Sequence, residues 1–197
     1  MKRIAYEEMV AQFTRVLEKH GFTPADAKDA AVIFAQNSLS GVYSHGLNRF
    51  PRVVSYLEKG EIDPFARAEC ISRMGSMERW DGHRGFGPLN AQRAMERACV
   101  LARENGVGIV ALGNNNHWMR GGTYGWQAAD AGCIGICSAD LTDAVIDAIA
   151  ADVAASEPAE PGREVRCPGM GEHRSRKENM ELGIPVAEEK WAEVLAM

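Results

Sequence analysis

The chain has 197 residues, 46% of them hydrophobic and 25% charged, enough apolar material for one sizeable domain or two small ones and too much for disorder. A formal net charge of −5 argues against a nucleic-acid partner, because such binding calls for a clustered basic surface, and the one basic cluster, His173 to Lys177, reads as a solvated helix face. No apolar run approaches a bilayer span, and the opening MKRIAYEEMV carries acids where a signal peptide is apolar, so a cytoplasmic protein without a membrane partner is expected.

Residues 5–19 place Met9, Val10, Phe13, Val16 and Leu17 at helical spacing on one stripe, and Gly21 ends the helix. Thr23, Pro24 and Asp26 form the start signal of a second helix, reaching about Leu39: a cap, a first-turn proline and a capping-box acid. A third runs from near Asn48 to Lys59, with Pro51 in its first turn and Gly60 as its stop. Past Pro64 the pattern changes to two strands, 68–73 and 77–81, around Gly75-Ser76. A helix from about Pro88 to Asn105 follows, with Gly106 beyond its end.

Val107 to Leu112, VGIVAL, has the composition of a buried strand. A polar loop, GNNNHWMRGG, and a helix over about 123–131 come next. Cys133 to Cys137 reads as another strand, with both cysteines on one buried face. None of the five cysteines forms a CxxC pair, so free thiols in a reducing compartment are expected and a metal site is not. The spacing of Val145, Ile149 and Val153 predicts an amphipathic helix over 142–155. A proline-rich linker, SEPAEPGRE, and two short helices near 172–181 and 187–195 complete the chain.

Two clusters carry candidate chemistry. In the first, His45 lies between two helices with Ser44, Gly46, Asn48 and Arg49. Histidine suits proton transfer near neutral pH, a neighbouring hydroxyl can orient its ring, and the arginine fork matches a carboxylate or phosphate. A capping or packing role beside a helix start is the plainer alternative. In the second, Asn114 to Gly122 follow a strand and precede a helix, where α/β proteins tend to place ligands. There the alternative is a loop of turn formers with Trp118 as a core plug. His83, in the turn DGHRGFG, reads as a turn residue. Gly82, Gly85 and Gly87 do not spell GxGxxG, and no dinucleotide fingerprint is present.

The stretches SGVYSHGLNRFP, RWDGHRGFGPLNAQRAMERA and VGIVALGNNNHWMRGGTYGWQAADAGCIGIC, with EPAEPGREVRCPGMGEHRSRKENMELGIPVAEEKWAEVL near the end, resemble the malate/L-lactate dehydrogenase family of bacteria. The resemblance implies a mixed α/β fold whose nicotinamide-binding domain is not Rossmann-type. It implies an N-terminal helical part over 1–63, a truncated central α/β domain over 64–140, and a C-terminal helical part over 141–197 packing on the first. It further implies a homodimer that uses NADH or NADPH to reduce a 2-keto acid to the 2-hydroxy acid. By position, His45 is the acid that protonates the keto oxygen, supported by Ser44, with His117 a second active-site histidine. Arg49 holds the substrate carboxylate, with Asn116 and Arg120 as further substrate contacts. Gly169, Met170 and Gly171 fall at the C-terminal part of the cofactor site. Between Cys137 and Leu141 the sequence passes from the family's central domain to its C-terminal helices, so most of that domain is expected to be missing. With it goes an aspartate that completes a Ser-His-Asp relay in relatives. A catalytically inactive, dimerising helical scaffold is therefore the competing expectation.

Overall fold

A computed structural model describes residues 2–138 and 172–197. The expected helix over 142–155, the linker SEPAEPGRE, and Gly169, Met170 and Gly171 lie outside those residues. The fold is mixed α/β, with seven helices and two small open sheets among the described residues.

Three helices build the first layer: α1 (Tyr6–Lys19), α2 (Pro24–Leu39) and α3 (Phe50–Glu58). The stripe on α1 buries Met9, Phe13, Val16 and Leu17. Phe13 stacks on Phe50 of α3 at 4.1 Å and meets Phe34 of α2 edge-on at 6.2 Å. Such pairs add to area burial, and they fix how the three helices cross. Thr23 caps α2, its Oγ1 accepting from the Asp26 N–H at 3.2 Å.

The chain also ties its two ends together, which no local pattern announces. Strand β1 (Lys2–Ile4) pairs antiparallel with β5 (Ile184–Val186), Ile4 opposite Ile184. Helices α6 (Glu172–Leu182) and α7 (Glu188–Ala196) flank β5. Buried Trp191 and Val194 of α7 join the core that α1, α2 and α3 share.

The second sheet has the order β2-β3-β4: β2 (Glu69–Met74), β3 (Met77–Asp81) and β4 (Ile109–Gly113). Strands β2 and β3 form the expected hairpin, and β4 lies parallel to β3 after the crossover helix α4 (Gly87–Asn105). Gly106 closes α4 at φ 83°. The link between α4 and the sheet is ionic. Glu78, 6% exposed, receives Arg97 Nη2 at 2.8 Å and Trp80 Nε1 at 2.9 Å.

Two strand expectations need correction. Strand β4 exists but is not buried: Ile109 is exposed, and no described element covers that face of the sheet. Residues 133–138, after α5 (Gly121–Asp130), form no strand and have no ladder partner among the described residues. Cys133 and Cys137 are half-buried there, while Ile134 is 96% exposed. Alternating apolar residues supply strand propensity, but a strand exists only where a neighbour accepts its hydrogen bonds. In the basic cluster Arg174 and Lys177 are exposed as expected, whereas the Arg176 guanidinium lies 5.7 Å over the Trp126 ring. Among the described residues no helix is long and apolar enough to cross a membrane.

Candidate active site

His45 ends a single 3₁₀ turn, Tyr43–His45, in the connection between α2 and α3. Two adjacent polar residues late in α2 hold this connection. Asn37, 1% exposed, donates from Nδ2 to the His45 carbonyl at 3.0 Å. Ser38 Oγ accepts from the Leu47 N–H at 2.9 Å and donates to the Phe34 carbonyl at 3.1 Å. Gly46 makes so close a fit possible, since a Cβ there would lie 2.1 Å from Ser38 Oγ.

His117 comes from the loop between β4 and α5. The first turn of α4 presses directly on that loop, because a Cβ on Gly87 would meet the Asn116 and His117 carbonyl oxygens at 2.3 and 2.4 Å. Met119 takes φ 68°, a left-handed backbone that side chains rarely adopt and that marks built sites. Its N–H donates to His117 Nδ1 at 3.0 Å. Nδ1 is thus an acceptor, so the neutral ring carries its proton on Nε2.

The fold brings these two histidines together from segments more than a strand-helix unit apart. Their ring centroids are 5.8 Å apart, the planes tilted by 32°. Ser44 Oγ lies 3.0 Å from His45 Nδ1, which leaves Nε2 as the working atom of that ring. Arg49 immediately precedes α3 without a side-chain capping bond, and its buried Nε has no hydrogen-bond partner among the described residues. It lines a shallow cleft with His117 and Asn116 over apolar Phe86, Pro88 and Met119. His45 does not itself line this cleft, but its ring neighbours His117, which does.

Burial, followed by the Arg49 and Arg120 charges, holds the His45 imidazolium below the usual histidine range. Burial, Arg49 and then His45 do the same to His117. Both rings are therefore neutral at neutral pH in the free protein. Such a cleft offers N–H donors, a fixed cation and an apolar wall, which suits a small anion carrying a reactive carbonyl.

Two residues expected at this site have other commitments. Asn116 lines the cleft, but its Nδ2 donates to the Arg84 and Gly85 carbonyls at 2.6 and 3.1 Å. Arg120 pairs with Glu172 of α6 and lies 4.6 Å over the Trp126 ring, so it reaches His45 through its charge. Trp118 is half-buried and stacks on Tyr124 at 5.5 Å. His83 sits at φ 49° with its N–H on Asp81 Oδ1, a turn residue as expected. Sequence reasoning missed Asn37, Ser38 and Asn90. Asn90 is a buried hub whose Nδ2 donates to the Gly82 carbonyl at 3.1 Å and to Asn115 Oδ1 at 3.0 Å. The available signal was a polar residue on the buried side of a helix, which only the packing identifies.

Fold and site together define a mixed α/β protein with paired neutral imidazoles beside an arginine. The chain belongs to the malate/L-lactate dehydrogenase family, whose model matches residues 4–147. It is 50% identical over 135 residues to 2,3-diketo-L-gulonate reductase of Mannheimia succiniciproducens, covering 68% of this chain and 41% of that protein. The chain thus spans about two fifths of the length of the curated relatives it matches. Malate dehydrogenase from Pyrococcus horikoshii OT3 matches at 32% identity and a TM-score of 0.65, over 66% of this chain and 38% of that one. The fold alone is shared with sulfolactate dehydrogenase from Methanocaldococcus jannaschii, at a TM-score of 0.77 and 18% identity, over 98% and 95% of the two chains.

Proposed function

We propose that this protein reduces a 2-keto acid to the 2-hydroxy acid with NADH or NADPH, and that the substrate is of the 2,3-diketo-L-gulonate type. The observation that carries the reading is the meeting of His45 and His117 at 5.8 Å, beside a cleft lined by Arg49. Membership of the family and the reductase and dehydrogenase relatives support it. A homodimer and a cytoplasmic setting belong to the same reading, on the family resemblance.

The apolar wall of Phe86, Pro88 and Met119 beside two neutral donors suits the uncharged ring of a reduced nicotinamide. That ring, when bound, supplies the hydride that adds to the keto carbon. Arg49 pairs with the substrate carboxylate and so fixes which carbon faces the hydride. His45, taken to its imidazolium once the substrate carboxylate offsets the Arg49 charge, gives its Nε2 proton to the keto oxygen as the carbonyl π pair moves onto it, and is left as the neutral ring. The product is the hydroxyl, and the neutral ring regains a proton from solvent. Ser44 holds the other face of the ring through Nδ1. His117 donates its Nε2–H to the substrate and keeps the oxygen in line.

The test is oxidation of reduced nicotinamide by the full chain with 2,3-diketo-L-gulonate and with simple 2-keto acids. His45→Gln should lower kcat by about 10²- to 10⁴-fold, the usual worth of a positioned proton donor. Full turnover in that variant would remove His45 from the role. Absence of both turnover and cofactor binding in the unaltered chain would leave the scaffold reading in its place.

A further inference from the structure

We propose that Asn37 and Thr123 form a positioning pair that sets the His45–His117 separation by tying the His45 backbone to helix α5. The inference rests on the reductase reading for its consequence in turnover, and on geometry alone for the tie itself.

Asn37 lies late in α2 and is 1% exposed. A buried amide costs free energy unless both ends are bonded, and asparagine is a poor helix former, so packing alone does not explain it. Both ends are bonded. Nδ2 donates to the His45 carbonyl at 3.0 Å, and Oδ1 accepts from Thr123 Oγ1 at 3.0 Å. Chemistry fixes this orientation. The His45 carbonyl can only accept, so the amide nitrogen must face it and the oxygen must face Thr123.

Thr123 stands in the first turn of α5. Arg120 immediately precedes that helix, and His117 lies in the loop leading to it. The Thr123–Asn37–His45 run therefore crosses from the element that follows one histidine to the backbone of the other. Next to it, Ser38 clamps Leu47, so two successive residues of α2 hold the His45 connection from one side. Without the Thr123 bond the Asn37 amide is free to turn, and the His45 carbonyl loses a fixed donor. Ser44 and the Met119 N–H then each orient one ring without referring to the other, and Ser38 holds only the His45 side.

Thr123→Val keeps the shape and removes the hydroxyl, and Thr123→Ser restores it. Asn37→Asp presents a carboxylate that still accepts from Thr123 but repels the His45 carbonyl. The first measurement is the titration of both imidazoles by NMR in the full chain. The charges facing them are Arg49 from α3, Arg120 ahead of α5 with its Glu172 partner from α6, and each other. In Thr123→Val both midpoints should rise toward the ordinary histidine value as the rings leave that enclosure. Thr123→Ser should stay at the wild-type values, and Asn37→Asp should move further than Thr123→Val.

The second measurement is turnover, where Thr123→Val should lower kcat by about tenfold with KM within about twofold, as expected for misplacement of a donor rather than lost binding. A fall in melting temperature with unmoved imidazole titrations in both variants would mark the pair as structural and overturn the proposal. So would Thr123→Ser behaving like Thr123→Val. If the unaltered chain turns over no 2-keto acid while the titrations move as stated, the reductase reading fails and the positioning pair stands.

Discussion

On the proposed reductase reading, Arg49 is where binding and proton supply meet. In the free protein its charge helps hold both imidazoles neutral, after burial. On that reading a substrate carboxylate paired with Arg49 would offset that charge, and His45 would regain basicity when its proton is needed. For reduction, the rate falls as pH rises through the pKa of the donor. The kcat profile, which reports the complex, should therefore hold to higher pH than the kcat/KM profile, by about one pH unit for a neighbouring charge. Coincident profiles would show that Arg49 does not couple the two events. Arg49→Met should raise KM by about ten- to a hundredfold, the worth of a charge-assisted hydrogen bond of about 1.5–3 kcal/mol. It should also shift the free-enzyme profile upward. The same burial sets an acid sensitivity. Both folded-state values lie below the unfolded one, so as pH falls below about 6.5 the unfolded chain takes up protons first. Stability is intact above that point and declines toward the folded values, which urea midpoints across the range would record.

Among elements, the start of α2 concentrates the most checkable energy. Burial alone would raise the Asp26 carboxyl pKa. The Thr23 hydroxyl and the Arg67 and Arg93 guanidinium groups outweigh it and hold the carboxyl below its usual range. Arg93 Nη2 reaches Asp26 Oδ1 at 2.6 Å, and Arg67 pairs with Oδ2. The contribution is present above the ordinary aspartate range and is lost as pH falls through the lowered folded value. Thr23→Ala should cost about 1 kcal/mol as a lost cap. Asp26→Asn should cost about 1–3 kcal/mol more, because two arginines are left facing an amide. Equal urea midpoints for Asp26→Asn and wild type would show the cluster to be idle. The cap was legible because Thr23, Pro24 and Asp26 are consecutive signals, as was the Gly106 stop of α4. Pairing of β1 with β5 was not, since two three-residue strands at opposite ends carry no period. Composition predicted strands at 107–112 and 133–137, but burial and pairing are properties of the neighbours. At the site, Ser44, His45 and Arg49 were readable as chemistry. Asn37 was not, because a polar residue in a helix looks the same in sequence whether it faces solvent or the connection bearing His45.

At the scale of the whole molecule, the core is unevenly shared. Side chains of α1, α2, α3, β1, β5 and α7 form one apolar cluster, and Phe86, Leu89 and Met119 join it from the α4 end and the site loop. Strands β2, β3 and β4 contribute nothing to that cluster. The sheet is instead fastened to α4 by Glu78 with Arg97, and it leaves Met74, Met77 and Ile109 exposed. Local opening requires little apolar surface to be given up there, so the sheet should open well below the free energy of global unfolding. Native-state hydrogen exchange should find the β3–β4 amides exchanging by a local route insensitive to denaturant, while α1 and α2 amides exchange only with global unfolding. Equal protection in sheet and helices would mean that the ionic link to α4 makes the molecule one cooperative unit. The histidine pair would sit on the stable side of such a divide. His45 is held by α2, and the loop bearing His117 is anchored through Met119 to the shared core. A chain that opens its sheet should therefore keep the His45–His117 geometry, and the imidazole titrations should be unchanged under conditions where the β4 amides exchange and those of α1 and α2 do not.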